Sequence, residues 1–409
     1  MKHSLWILIV ALTFMAACAK TAREEPKGIM FKDDVAFLKE HTQPVILSSA
    51  DGRAKVAVNP DLQGRVMTST AAGDEGLSFG WINRGLLSSK ENNVHMNAFG
   101  GEDRFWLGPE GGQFSIFFNE DAPFNLDNWF TPPSINEGAY DIARERPDGI
   151  MFKKEIRLVN YSGTEFDLRL IREVRLLDEE QLEAFGIPLL KNVGMVAYQS
   201  DNMIMNIGQN EWTKETGLLS IWILGMFNPS PETTVIVPFK PGAETDLGPI
   251  VNDAYFGKVP ADRLVVKDGV LLFSGDGKYR SKIGISPKRA KPYLGSYDAA
   301  NRVLTIVHFT LPDGAADYVN SMWEIQKNPF GGDAANSYND GPATLGAEPL
   351  GPFYELESSS PAAALKPGAT LNHIHATMHF QGEEKALDLI ARKVLGVGIA
   401  EIKNALKKE

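Results

Sequence analysis

Stretches in which apolar and polar residues alternate recur along most of the chain. Residues 54–58, 65–70, 114–118 and 152–159 each follow a period of two and are rich in β-branched and aromatic side chains, which predicts strands. After the turn Tyr161-Ser162-Gly163-Thr164 the pattern resumes over 166–177, predicting a long hairpin. Further strands are predicted at 217–225, 233–239, 264–274 and 303–309, with Gly, Pro, Asn and Asp punctuating the intervals. The distribution indicates an antiparallel all-β domain of many strands. Helical periodicity is rare until the end, where Leu387, Ile390, Ala391, Val394 and Leu395 form an apolar stripe across 383–409, interrupted by Gly396 and Gly398. No short internal repeat is present, which disfavours a propeller or solenoid.

The one unbroken apolar run, residues 4–17, follows a basic start at Met1-Lys2-His3 and is too short to cross a bilayer comfortably. It reads as an export signal over residues 1–17. Two small residues, Ala16 and Ala17, precede Cys18, the arrangement a lipoprotein signal peptidase needs, so Cys18 is expected to become a lipidated first residue. Residues 18–30 are polar and lack an apolar repeat, as a tether does. The domain is expected over 31–382, anchored by an acyl chain to the outer membrane, on its periplasmic or surface face.

Composition narrows the partners. The 409 residues carry 41 Lys plus Arg against 52 Asp plus Glu, a net charge of −11, which argues against a nucleic-acid partner and against a basic membrane-binding face. A single cysteine excludes intramolecular disulfides, so the core must hold the fold. The sequence calls for no cofactor.

Three segments carry candidate chemistry. In the first, residues 92–114, glycines accompany His95, Glu102, Arg104, Trp106 and Glu110; glycine permits close backbone approach, tryptophan offers a flat face to a sugar ring, and arginine offers directed hydrogen bonds. The second runs from Tyr338 through Asp340 to Ala362. Here Glu355 and Glu357 share one face of a strand, with Tyr354 and Leu356 on the other, so two like charges about 7 Å apart must meet water or a polar pocket. The third, 372–380, places His373, His375, Thr377 and His379 on one face. His373 and His375 are weak candidates for a shared metal, since no cysteine or carboxylate completes a set at fixed spacing; an exposed or pocket-lining polar face is the preferred expectation.

Gly64-Arg65-Val66-Met67, the segment from Gly100-Gly101 to Glu110, Tyr354-Glu355-Leu356-Glu357 followed by Pro361, and Leu365-Lys366-Pro367-Gly368 occur in an order similar to the galactose mutarotase-like, or aldose 1-epimerase-like, superfamily. The resemblance spans roughly 45–382, and within that superfamily the chain looks like an uncharacterised branch of exported bacterial lipoproteins. It implies a β-supersandwich whose concave face binds a carbohydrate. By that resemblance Glu357 matches the base that takes a proton from the anomeric hydroxyl, with Glu355 as the fallback, and Arg104 and His95 match an early substrate-binding pair. The epimerases of that superfamily use an acid histidine in mid-chain, whereas here no histidine lies between His95 and His308. His308, His373 and His375 are the substitutes the sequence offers. Two other functions stay open: a glycan-binding lipoprotein without catalysis, and a metal-dependent enzyme built on His373 and His375.

Overall fold

The structure, a computed structural model, describes residues 28–406 apart from Ala315 and Leu345. The expected export signal and Cys18 lie outside the described residues. In chain order the strands are β1 (Val45–Ser48), β2 (Lys55–Asn59), β3 (Arg65–Thr70), β4 (Arg104–Gly108), β5 (Asp141–Arg146), β6 (Gly149–Val159), β7 (Glu165–Leu176), β8 (Gly194–Asn206) and β9 (Ser220–Phe227). They continue as β10 (Thr233–Pro238), β11 (Leu264–Lys267), β12 (Val270–Ser274), β13 (Ser281–Ile285), β14 (Tyr293–Asp298), β15 (Val303–Phe309), β16 (Ala335–Asn339), β17 (Tyr354–Ser359) and β18 (Thr370–Gln381).

Among the described residues these strands form three antiparallel sheets: β1-β2-β3, a ten-stranded sheet ordered β11-β12-β10-β14-β15-β18-β8-β7-β6-β5, and a five-stranded sheet ordered β13-β16-β17-β9-β4. The chain is an all-β sandwich with helices at both ends: contrary to the sequence expectation, Phe31–His41 is also a helix, packing Phe31 and Leu38 on Ala57 of β2 and Met67 of β3. Alternation sorts the side chains. Phe105, Ile221, Ile223 and Leu356 leave the five-stranded sheet on its inner face and pack against Leu170, Val174, Val307 and Phe309 of the ten-stranded sheet. The outer face of the larger sheet, through Leu304, Ile306, Met378 and Phe380, is covered by the helices Glu384–Val394 and Ile399–Asn404.

Several elements differ from the sequence expectation. Residues 114–118 are not a strand. Ile116, Phe117 and Phe118 are buried in a loop, where Phe117 meets Trp106 and Trp129 at ring distances of 5.4 and 5.8 Å, so the apolar run serves an aromatic cluster instead of a sheet. The run 264–274 is a hairpin, turning at Asp268 and Gly269, both with positive φ, as an Asp-Gly pair favours. The C-terminal helix is two helices, broken where Gly396 adopts a φ of 76°.

The third histidine segment is also different. His373 and His375 point into the sandwich and are fully buried, each bonded to the Ser358 hydroxyl at 2.8 Å. Burial pushes their pKa values down to about 3 and about 4. These two form part of a polar core and are not exposed, whereas His379 of the same face lines a cavity. Among the described residues no group of three or more His, Cys, Asp or Glu is arranged to hold a metal ion.

Beside them Arg172 and Asp103 form a fully buried ion pair at 2.6 Å, with Arg172 also donating to the Gly64 carbonyl and to Asn202. Removing one partner of such a pair leaves an uncompensated charge in the interior. Arg172→Met is expected to cost about 3–5 kcal/mol of stability, read from chemical denaturation.

Candidate active site

The outer face of the five-stranded sheet carries the polar residues. Residues directly opposite each other in an antiparallel pair share a face. One row across the sheet therefore reads Gly284, Asn336, Glu357, Leu224 and Arg104, and its neighbour reads Lys282, Tyr338, Glu355 and Met226. Trp222 and Trp106 make a third row. Loops before and after these strands cover the face, so Glu357 and Arg104 lie within 3 % of complete burial.

Glu357 is held through a single oxygen. Its Oε2 accepts from Lys282 Nζ and from the indole N–H of Trp222, each at 2.9 Å. Its Oε1 is buried and has no partner. Two donors on one oxygen, one of them an ammonium, suit a carboxylate anion and leave the other oxygen available as an acceptor.

Lys282 is itself boxed by aromatic faces, with Nζ 4.8 Å from the Trp222 ring centre and 5.4 Å from that of Tyr255. Burial works against its ammonium, but the combined pull of Glu357, Glu110 and Glu355 outweighs it and raises the pKa. Tyr255 donates to Asp333 at 2.7 Å, which fixes the ring over Lys282.

Glu355 sits one alternation along the same strand. Its Oε1 accepts from Arg104 at 3.2 Å, and the Arg104 guanidinium lies 4.2 Å from the Trp106 ring centre. Burial pushes Glu355 up to about 8; Arg104 opposes the shift and the Glu357 charge adds to it. One hydrogen bond from arginine does not offset the loss of water. Burial thus favours the protonated form of Glu355, the form able to give a proton. Glu110 joins from the loop after β4: it bonds Trp323, and burial raises its pKa against the pull of Lys282.

Of the sequence candidates, Arg104, Trp106, Glu110, Glu355 and Glu357 thus come together. Asp340 is near, bonded to the Tyr338 hydroxyl and the Gly351 N–H, and raises Glu355 through its charge. His95 stays at the periphery, with Nδ1 2.6 Å from the Trp129 carbonyl and its ring against Phe130. Three candidates are elsewhere. His308 faces the outer layer of the ten-stranded sheet between Phe185 and Tyr293. His375 lies in the sandwich interior, because odd positions of β18 point inward. Glu102 turns below β3, bonded to Ser69 and Tyr198.

Lys282, Trp222 and Tyr255 were not candidates in the sequence. Trp222 belongs to an apolar run and Lys282 to a five-residue strand; only the register places them beside Glu357.

The raised pKa of Glu355 links stability to pH. The unfolded chain releases this proton near the ordinary 4.5 and the folded chain only near 8, so its contribution is present in full below 4.5 and declines as pH rises through that window. Glu355→Gln should flatten the wild-type decline between those limits by on the order of a few kcal/mol, measured by denaturation at successive pH values.

No curated protein matches the chain. Among solved structures it is similar to the Slr1438 protein of Synechocystis, with 11 % identity, 84 % of this chain and 96 % of that one covered, and a TM-score of 0.48. It is similar also to a putative aldose 1-epimerase of Escherichia coli, with 12 % identity, 83 % and 99 % covered and a TM-score of 0.45. A galactose mutarotase-like protein of Lactobacillus casei gives 8 % identity, 83 % and 100 % covered and a TM-score of 0.45. These are likenesses of fold, and no residue's role follows from them. One family spans residues 29–406, and the chain belongs to it: the family of unknown function DUF6786.

Proposed function

We propose that the outer face of the five-stranded sheet is a carbohydrate site at which Glu357 accepts a proton and Glu355 donates one. The observation that carries this reading is the buried, unpartnered Oε1 of Glu357 beside an Oε2 fixed by Lys282 and Trp222. A buried carboxylate oxygen without a donor is costly unless a ligand hydroxyl meets it. Trp106 and Trp222 are buried with Arg104 and Lys282 over their rings and hold those charged groups in place beside the two carboxyls, and Arg104 is a directed donor.

The chemistry is that of anomeric interconversion. Glu357 Oε1 takes the proton of the anomeric hydroxyl as Glu355 gives its proton to the ring oxygen. The bond between the anomeric carbon and the ring oxygen breaks to leave an open-chain aldehyde. Rotation of that carbon and reversal of both transfers close the ring on the other face, and the proton count is restored. A neutral carboxylic acid here takes the acid role that the sequence left to a histidine, since His308 and His375 are placed away from Glu357. Two groups with opposed protonation near neutral pH suit the two duties. Cys18 supplies the envelope anchor in this reading.

Glu357→Gln is expected to lower the rate of α/β interconversion of a responsive aldose by at least ~10²-fold while retaining binding. Polarimetry or NMR exchange gives the rate and calorimetry the affinity. Binding without interconversion by the wild type would leave a glycan-binding protein, and binding of no sugar in a panel would overturn the site. Cys18→Ser is expected to move the protein from the membrane fraction to the soluble envelope fraction; unchanged fractionation would contradict the anchor.

A further inference from the structure

Glu102 stands in a second array of polar groups, on the other side of the five-stranded sheet from Glu357. Its carboxylate accepts from the backbone N–H of Ser69 at 2.5 Å, the Ser69 hydroxyl at 2.8 Å and the Tyr198 hydroxyl at 2.9 Å. His379 Nε2 is 3.1 Å from Glu102 Oε2, and His379 Nδ1 is 2.9 Å from Thr305 Oγ1. With this many donors converging on it, Glu102 is an acceptor only. Nε2 therefore carries the imidazole proton, Nδ1 is the acceptor, and the Thr305 hydroxyl donates to it. The His379 ring is held against Phe79, with ring centres 4.4 Å apart.

The order hydroxyl, imidazole, carboxylate is that of an activated nucleophile, with a base in reach of the hydroxyl and a third group orienting the base. A cavity of about 220 Å³ opens between the two main sheets, and Thr305, His379 and Tyr354 lie in its wall with Phe79, Phe227 and Val303. Thr305 and His379, directly opposite each other on β15 and β18, are 2 % and 1 % exposed, and both line this cavity. The Tyr354 hydroxyl bonds Ser296 at 2.8 Å and also contacts the Thr305 hydroxyl, which places a donor beside the reacting oxygen.

We propose that Thr305, His379 and Glu102 form a second reactive site, independent of the carbohydrate site, acting on small carboxylic esters. Thr305 Oγ1 attacks the ester carbonyl carbon as its proton passes to His379 Nδ1, and Tyr354 donates to the carbonyl oxygen as it gains charge. The carbon–oxygen bond to the alcohol breaks, and the alcohol leaves with the proton from His379. Water then adds to the acyl-threonine with His379 as base, releasing the acid and restoring Thr305. The size of the cavity restricts the acyl part to a short chain, and its wall is mixed, with Ser78, Asn228 and Asp298 beside Phe79, Phe227 and Val303.

The test uses the full chain with p-nitrophenyl acetate and, separately, a fluorophosphonate probe. The expected result is a single covalent adduct mapped to Thr305 by mass spectrometry, with nitrophenol release at least ~10²-fold faster than that of Thr305→Val, a nearly isosteric variant. Thr305→Ser should keep both the adduct and the release, while His379→Gln loses them. A folded wild type with no adduct on Thr305, or a Thr305→Val variant that releases nitrophenol at the wild-type rate, would overturn the proposal.

Discussion

Burying a carboxylate in the middle of a sheet requires donors that the backbone cannot supply, because its N–H groups are already engaged in the ladder. The five-stranded sheet meets this requirement at Glu357 with two side chains from different strands. Lys282 reaches diagonally across β16, and Trp222 comes from the neighbouring β9; both end on Oε2. Tyr255, fixed by Asp333, closes over the ammonium, and Arg104 crosses β9 to meet Glu355. The remaining oxygen of Glu357 is what gives this face a chemical use. Were it also satisfied internally, the cluster would be a closed network of ion pairs.

The same alternation that gathers these groups on the outer face sends Tyr354, Leu356 and Ser358 inward, so chemistry and core share one strand without competing. The interior is not wholly apolar. Arg172, Asp103, His373, His375, Ser358 and Asn202 are joined there, and burial keeps both histidines neutral. A polar core of this kind is expensive to leave half paired, which accounts for the number of partners Arg172 has.

The strand content was legible in the sequence because period two is a local property, and the pairing of Glu355 with Glu357 on one face followed from it directly. Apolar runs misled where burial came from loops: residues 114–118 read as a period-two strand, yet Phe117 and Phe118 fill an aromatic cluster in a loop. An Asp268-Gly269 turn inside a β-rich run was a readable hairpin signal that the longer period concealed. The inward turn of the β18 histidines was not readable, since alternation says that His373, His375 and His379 share a face but not which face. Glu102 and Arg104, two residues apart, were assigned together, but β4 begins only at Arg104, so Glu102 leaves the alternation and ends beneath β3 while Arg104 meets Glu355. Lys282 and Trp222 depended on the register of β13 and β9, which is a long-range property.

The central claim is that the free oxygen of Glu357 is an acceptor for a sugar hydroxyl. A crystal structure of the protein soaked with aldoses tests it most directly. The account predicts a sugar bound beside Arg104 and Glu355 with a hydroxyl within hydrogen-bond distance of Glu357 Oε1. A sugar bound away from these residues, or one that leaves Oε1 without contact, would contradict it.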